Sequence, residues 1–220
     1  MINLHRSIRL LLPFLTAVVL GAADNTRLEL EPARSSPAKG KHVVLLSGDE
    51  EYRSEEALPM LAKILSQSHG FKTTVLFALD ADGTINPNNP HSLPGAEALD
   101  SADVIIMSLR FRAWSDEAMK HFVAAHQRGV PIIALRTSTH AFNFPAGSPW
   151  FDYTWNNKTT SPGGFGKRVL GETWVSHWGK HKFEATRGVI EPASAADPLF
   201  NGVTSLFGTT DVYEAAPPSD

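Results

Sequence analysis

Four short apolar runs, each closed by polar residues, constrain this chain more than any other feature. They fall at residues 42–46 (HVVLL), 73–79 (TTVLFAL), 103–109 (DVIIMSL) and 130–135 (VPIIAL). Continuous rather than alternating apolar runs of this length are expected of strands covered on both faces. Between the first two, residues 54–68 carry Leu58, Leu61, Ala62, Ile64 and Leu65 at helical spacing, with Ser54 as a candidate N-cap and His69-Gly70 as a stop. Pro59 is tolerable there only near the helix start. Between the last two, Ser115 caps a helix with Met119, Phe122, Val123 and His126 on one side and Gly129 at its end. Strands joined by helical crossovers predict an α/β fold with a doubly wound, mainly parallel sheet. The 220 residues, 42% of them hydrophobic, suffice for one core and suggest one domain, two at most. After Phe144 the pattern weakens: residues 145–180 are rich in aromatics, Gly and Pro, and 182–190 and 211–215 read as later strands.

The N-terminus reads as an address. Arg6 and Arg9 precede the apolar run 10–20, then Gly21-Ala22-Ala23. This order predicts a signal peptide over residues 1–23, and the run is shorter than the roughly 20 residues of a spanning helix. The mature protein is therefore expected to be exported, periplasmic or extracellular, and free of the membrane. Residues 24–40 are polar and Pro/Ser/Ala-rich and read as a linker to a domain over 41–220. With no cysteine, disulfide scaffolds, thiolate zinc sites and cysteine nucleophiles are excluded. A formal net charge of −3 offers no basic footprint for nucleic acid. A homo-oligomer is allowed.

In open parallel sheets ligands gather beyond the carboxyl ends of the strands. The segments there are 47–52 (SGDEEY), 110–112 (RFR) and 136–140 (RTSTH). They offer His140, Asp49 and Glu51 as acid–base candidates, and Arg110, Arg136 and Ser138 as substrate-binding ones. Ser138 is a poor nucleophile candidate, because the strained elbow needs glycine where Arg136 and His140 stand. His177 and His181 stand four apart, sharing a face only if the segment is helical. The zincin glutamate is replaced by Trp178, so surface or structural histidines compete with a metal there. Gly163-Gly164-Phe165-Gly166-Lys167 lacks the phosphate-loop spacing and reads as a flexible loop. Trp150, Trp155, Trp174 and Trp178 suit sugar rings or a satellite core equally.

Five segments in order carry a resemblance: 42–59 (HVVLLSGDEEYRSEEALP), 103–117 (DVIIMSLRFRAWSDE), 131–142 (PIIALRTSTHAF), 171–181 (GETWVSHWGKH) and 197–215 (DPLFNGVTSLFGTTDVYEA). From about residue 41 onward the chain resembles the ThuA-like family, named for trehalose utilisation. The resemblance implies a flavodoxin-like, class I glutamine amidotransferase-like sheet and a sugar or sugar-derived substrate. The amidotransferase cysteine is absent, so glutaminase activity does not carry over. His140 matches the histidine that the family's turn bears; His177, His181 and Asp211 fall in its other polar segments and are candidate ligands of a divalent metal. Arg53 stands where many relatives have a histidine. The family module usually continues past the DVYE-type strand, which implies a C-terminally truncated domain. The expected function is a hydrolase or lyase acting by acid–base chemistry on a glycoside or oxidised (keto) sugar, with Trp174 among the substrate contacts. The alternative is a non-catalytic carbohydrate-binding or interaction module.

Overall fold

The computed structural model describes residues 26–33, 38 and 40–215. The expected signal peptide lies outside the described residues. Nine strands and two α-helices are described: β1 (Arg27–Leu30), β2 (His42–Gly48), α1 (Ser54–His69), β3 (Lys72–Leu76), β4 (Val104–Leu109), α2 (Asp116–Gln127), β5 (Ile132–Ala134), β6 (Trp174–Trp178), β7 (Thr186–Gly188), β8 (Leu206–Gly208) and β9 (Val212–Ala215). The main sheet has the order β1-β3-β2-β4-β5 and is parallel except for β1, which runs antiparallel to β3.

β2 is buried at every residue, as its unbroken apolar run requires, and its side chains alternate between two cores. Val43 and Leu45 join Leu58 and Ala62 of α1 on one face. Val44 and Leu46 join Met107 and, from α2, Met119 and Phe122 on the other. One helix therefore covers each face, and the two layers bury both sides of the parallel strands. α1 ends where Gly70 takes φ 72 and its N–H reaches back to Leu65 and Ser66. Ser115 caps α2 through the Ala118 N–H.

Several expectations change in detail. Residues 27–30, within the segment read as linker, form β1, because pairing with β3 rather than any period of their own orders them. Ser54 is the first residue of α1 rather than its cap; the preceding Arg53 has φ 53 and makes no side-chain cap bond. Pro59 sits within α1 beyond its first turn. His177 and His181 do not share a helical face: His177 is on β6, and Gly179, with φ 92, turns the chain before His181. β6 pairs antiparallel with β9, and β7 with β8, making two small sheets beside the main one.

Candidate active site

The carboxyl ends of β2, β4 and β5 form one rim, cross-bonded through backbone. Arg110 N–H donates to Gly48 O at 3.0 Å, Phe111 N–H to His140 O at 3.1 Å, and Arg112 N–H to Ala141 O at 2.6 Å. Gly48 lets the chain segments approach closely at this junction, since a Cβ there would lie 3.0 Å from Arg112 Cδ and 3.1 Å from Leu109 Cδ2. The backbone that carries Asp49, Arg110 and His140 thus runs along a single rim.

The expected site residues divide into two groups. Asp49 and Ser138 are fully buried and hold the rim together. Asp49 Oδ1 accepts from the N–H groups of Glu51 (2.9 Å) and Tyr52 (3.3 Å), and its Oδ2 accepts from the hydroxyl of Thr137. Ser138 Oγ donates to Met107 O (3.0 Å) and accepts from Leu109 N–H (3.1 Å). The bonds of Asp49, expected as an acid–base group, and of Ser138, expected as a substrate contact, are all made within the rim. Glu51 lies outward of them, its Oε2 3.3 Å from Arg110 Nε and its Oε1 3.8 Å from His181 Nε2. Arg110 also pairs with Glu50, which meets Arg112 at 3.3 Å.

His140 is the centre of the second group. It is 3% exposed and lies among the rings of Phe111 (5.0 Å between centroids), Trp174 (5.3 Å), Tyr213 (5.7 Å) and Trp155 (6.3 Å). Thr139 Oγ1 lies 3.2 Å from His140 Nδ1 and 3.5 Å from Arg136 O. With the hydroxyl proton directed to Arg136 O, Nδ1 carries the imidazole proton and Nε2 holds the lone pair. Burial, reinforced by the charges of Arg110, His177 and Arg136, lowers the imidazole pKa to about 3. At neutral pH His140 is an uncharged base.

Asp211, expected as a metal ligand, is a hub instead. Its buried carboxylate accepts from Arg136 Nη2 (2.6 Å), His177 Nδ1 (2.5 Å), Thr210 Oγ1 (2.9 Å) and Tyr52 OH (3.4 Å), with His181 Nδ1 at 3.5 Å. Burial opposes its ionisation, but the bonds from His177 and Thr210 and the charge of Arg136 outweigh it and hold the carboxyl below its usual range. Arg136 also donates to Tyr52 OH at 2.7 Å, and its guanidinium lies between two rings, 4.1 Å from the centroid of Tyr213 and 4.7 Å from that of Tyr52. His177, His181 and Asp211 are joined to one another by hydrogen bonds and ion-pair contacts in this arrangement. Both carboxylate oxygens are already used, the two imidazoles turn Nδ1 to that carboxylate rather than to a shared point, and no group of three or more His, Asp or Glu among the described residues is placed to hold a metal.

Two features mark this cluster as more than a packed corner. The four described non-glycine residues with positive φ are Phe111 (52) and Arg136 (40), both in it, and Arg53 (53) and Lys182 (66), each next to one of its members. Such strain persists where surrounding contacts impose it, and it gathers at functional sites. Among the buried polar atoms of this cluster, Arg136 Nε, Trp174 Nε1 and Tyr213 OH make no hydrogen bond, whereas Arg110 Nε and His181 Nε2 have only Glu51, at 3.3 and 3.8 Å. A folded chain seldom leaves such groups unpaired, and three in one cluster are open to a ligand. A cavity of about 380 Å³ lies on the Arg136 and Tyr213 side of the cluster, lined also by Asp211, Thr186 and Phe207; His140 and Trp174 are not in its lining.

Tyr52, Tyr213, Phe111 and Thr137 were not singled out by sequence reasoning. A signal existed for Tyr213 only: the 211–215 strand period puts it on the face opposite Val212. Comparison of the chain with known protein families, with curated proteins and with solved structures found no match.

Proposed function

We propose that the chain is an exported ThuA-like domain of flavodoxin-like, class I glutamine amidotransferase-like architecture that acts on a glycoside or oxidised sugar by acid–base chemistry at His140. The parallel strands β3-β2-β4-β5 follow the start of the flavodoxin order, in which ligands sit where the order reverses, here between β2 and β4. One observation carries the functional reading: a neutral imidazole stands beside buried polar atoms of Arg136, Trp174 and Tyr213 that make no hydrogen bond, and beside flat aromatic faces. Polar groups awaiting acceptors, with aromatic walls, suit a polyoxygenated ring. Arg110 and Arg136 bind its oxygens, and Glu51 holds Arg110 in place. His140, lacking a carboxylate partner, acts on an acidic proton such as the C–H beside a ketone.

The 3% exposure of His140 favours one competitor, a carbohydrate-binding module whose histidine is only packing. The purified full chain, incubated with glycosides and their 3-keto derivatives while released sugar or aglycone is followed, separates the two. The enzyme reading expects turnover that His140→Ala abolishes while sugar binding persists. Binding without turnover, unaffected by His140→Ala and lost in Trp174→Ala, makes the protein a binding module.

A further inference from the structure

We propose that Tyr213 and Trp174 form the electrophilic half of the site, the phenol O–H and the indole N–H together holding the oxygen of a ring ketone. This inference rests on the acid–base reading of His140 and narrows its substrate to the oxidised sugar. Trp174 on β6 and Tyr213 on β9 belong to paired strands, in which His177 stands opposite Tyr213. The four rings close a circuit: His140 to Trp174 5.3 Å, Trp174 to His177 5.2 Å, His177 to Tyr213 5.3 Å, and Tyr213 back to His140 5.7 Å. The Tyr213 hydroxyl and Trp174 Nε1 are buried and make no hydrogen bond of normal geometry, the hydroxyl lying near that of Tyr52. The carboxylates around them cannot serve: Asp211 is committed to Arg136 and His177, and Glu51 to Arg110. Tyr213 also lines the adjoining cavity.

The chemistry of the unpaired atoms selects the ligand. Arg136 Nε and Trp174 Nε1 can only donate, and burial raises the Tyr213 phenol well above its ordinary pKa, keeping its proton in place. A hydroxyl-rich glycoside needs acceptors as well as donors, whereas a ketone oxygen only accepts. One free lone pair at His140 facing several fixed donors suits enolisation. Nε2 takes the proton from the carbon beside the ketone, the C–H electron pair becomes the enolate C=C, and the C=O π pair moves onto the oxygen held by Tyr213 and Trp174. The ketone then re-forms, a C=C bond develops toward the neighbouring carbon, and that carbon's glycosidic oxygen leaves with the C–O electron pair, taking the proton from His140. The products are an enone and an alcohol, with no net oxidation.

Tyr213→Phe keeps the ring beneath Arg136 and removes only the hydroxyl. With a 3-keto glycoside bearing a chromogenic aglycone, kcat is expected to fall about 100-fold or more while KM rises by no more than about tenfold. In calorimetry, the wild type is expected to bind a free 3-keto hexose about tenfold more tightly than the parent hexose, and Tyr213→Phe to lose that preference. A variant that keeps both kcat and the keto preference overturns the assignment and leaves the acid–base reading standing. A wild type that prefers the keto sugar through Tyr213 but never turns over supports the oxygen-binding pair and removes the catalytic reading. A wild type with neither removes both. Trp174→Phe supplies the same measurements should Tyr213→Phe fail to fold.

Discussion

An imidazole surrounded by indole, phenol and phenyl rings and flanked by two guanidinium groups has every reason to stay neutral. That is the situation of His140, and it has a measurable cost. The unfolded chain protonates this histidine near its ordinary value of about 6.5, and the folded chain only near about 3. Between those values the unfolded state binds more protons, so the folded protein loses stability as pH falls from about 6.5 to about 3 and is not penalised above it. Chemical denaturation of wild type and His140→Gln across that window should show a shallower acid-side loss in the variant. Equal slopes would mean that the ring is solvated. Ser138 gives a second test at this scale. Removing its hydroxyl leaves the Leu109 N–H without a partner inside the protein, so Ser138→Ala should cost about 1–3 kcal/mol of unfolding free energy. With no ligand contact to lose, it should leave sugar binding intact. A variant of wild-type stability that binds no sugar would return Ser138 to the mouth of the site.

Between elements, the decisive joint is that between the main sheet and the β6/β9 pair, which brings Trp174 and Tyr213 to His140. Asp211 makes that joint, linking the residue before β9 to Arg136 after β5, to His177 on β6 and to Tyr52 after β2. Asp211→Asn keeps the shape but removes the charge. Hydrogen exchange at residues 174–178 and 212–215 should then accelerate about tenfold or more, while β2 and β4 stay protected. Uniform acceleration would mean that the small sheet does not open separately. Since the Asp211 pKa is lowered by folding, its contribution is present above about pH 4 and is lost as pH falls through the folded value. This joint also marks where sequence reasoning stopped. β2, α1, β4 and α2 were legible because each carries its own period or cap, and the rim followed from parallel strands ending together. β1 has no period of its own and forms only because β3 offers an edge. The Asp211 contacts span 34 residues to His177, 75 to Arg136 and 159 to Tyr52, distances over which no local spacing carries information. The same holds for the unpartnered atoms of Trp174 and Tyr213, which stand out only once the neighbours that fail to satisfy them are known.

At the scale of the whole molecule, the main sheet has two edges that differ in protection. β1 carries Arg27, paired with Glu29 at 2.9 Å and Glu97 at 2.6 Å, so charge lines that edge. β5 has three residues, pairs only with β4, and presents Ile133 at 51% exposure, followed by Leu135 at 37%. Charged side chains on an edge strand discourage pairing with another chain, whereas a bare apolar edge invites it. Self-association should therefore proceed through β5 and not through β1. Sedimentation of the wild type should show a concentration-dependent oligomer, and Ile133→Lys should return it to a monomer. Because Ile133 is largely solvent-facing, the same substitution should change unfolding free energy by less than about 0.5 kcal/mol, and a charge reversal at Glu29 should leave association untouched. A wild type that stays monomeric at every concentration would mean that a three-residue edge is too short to template a partner, which is itself one way that sheets keep their edges safe.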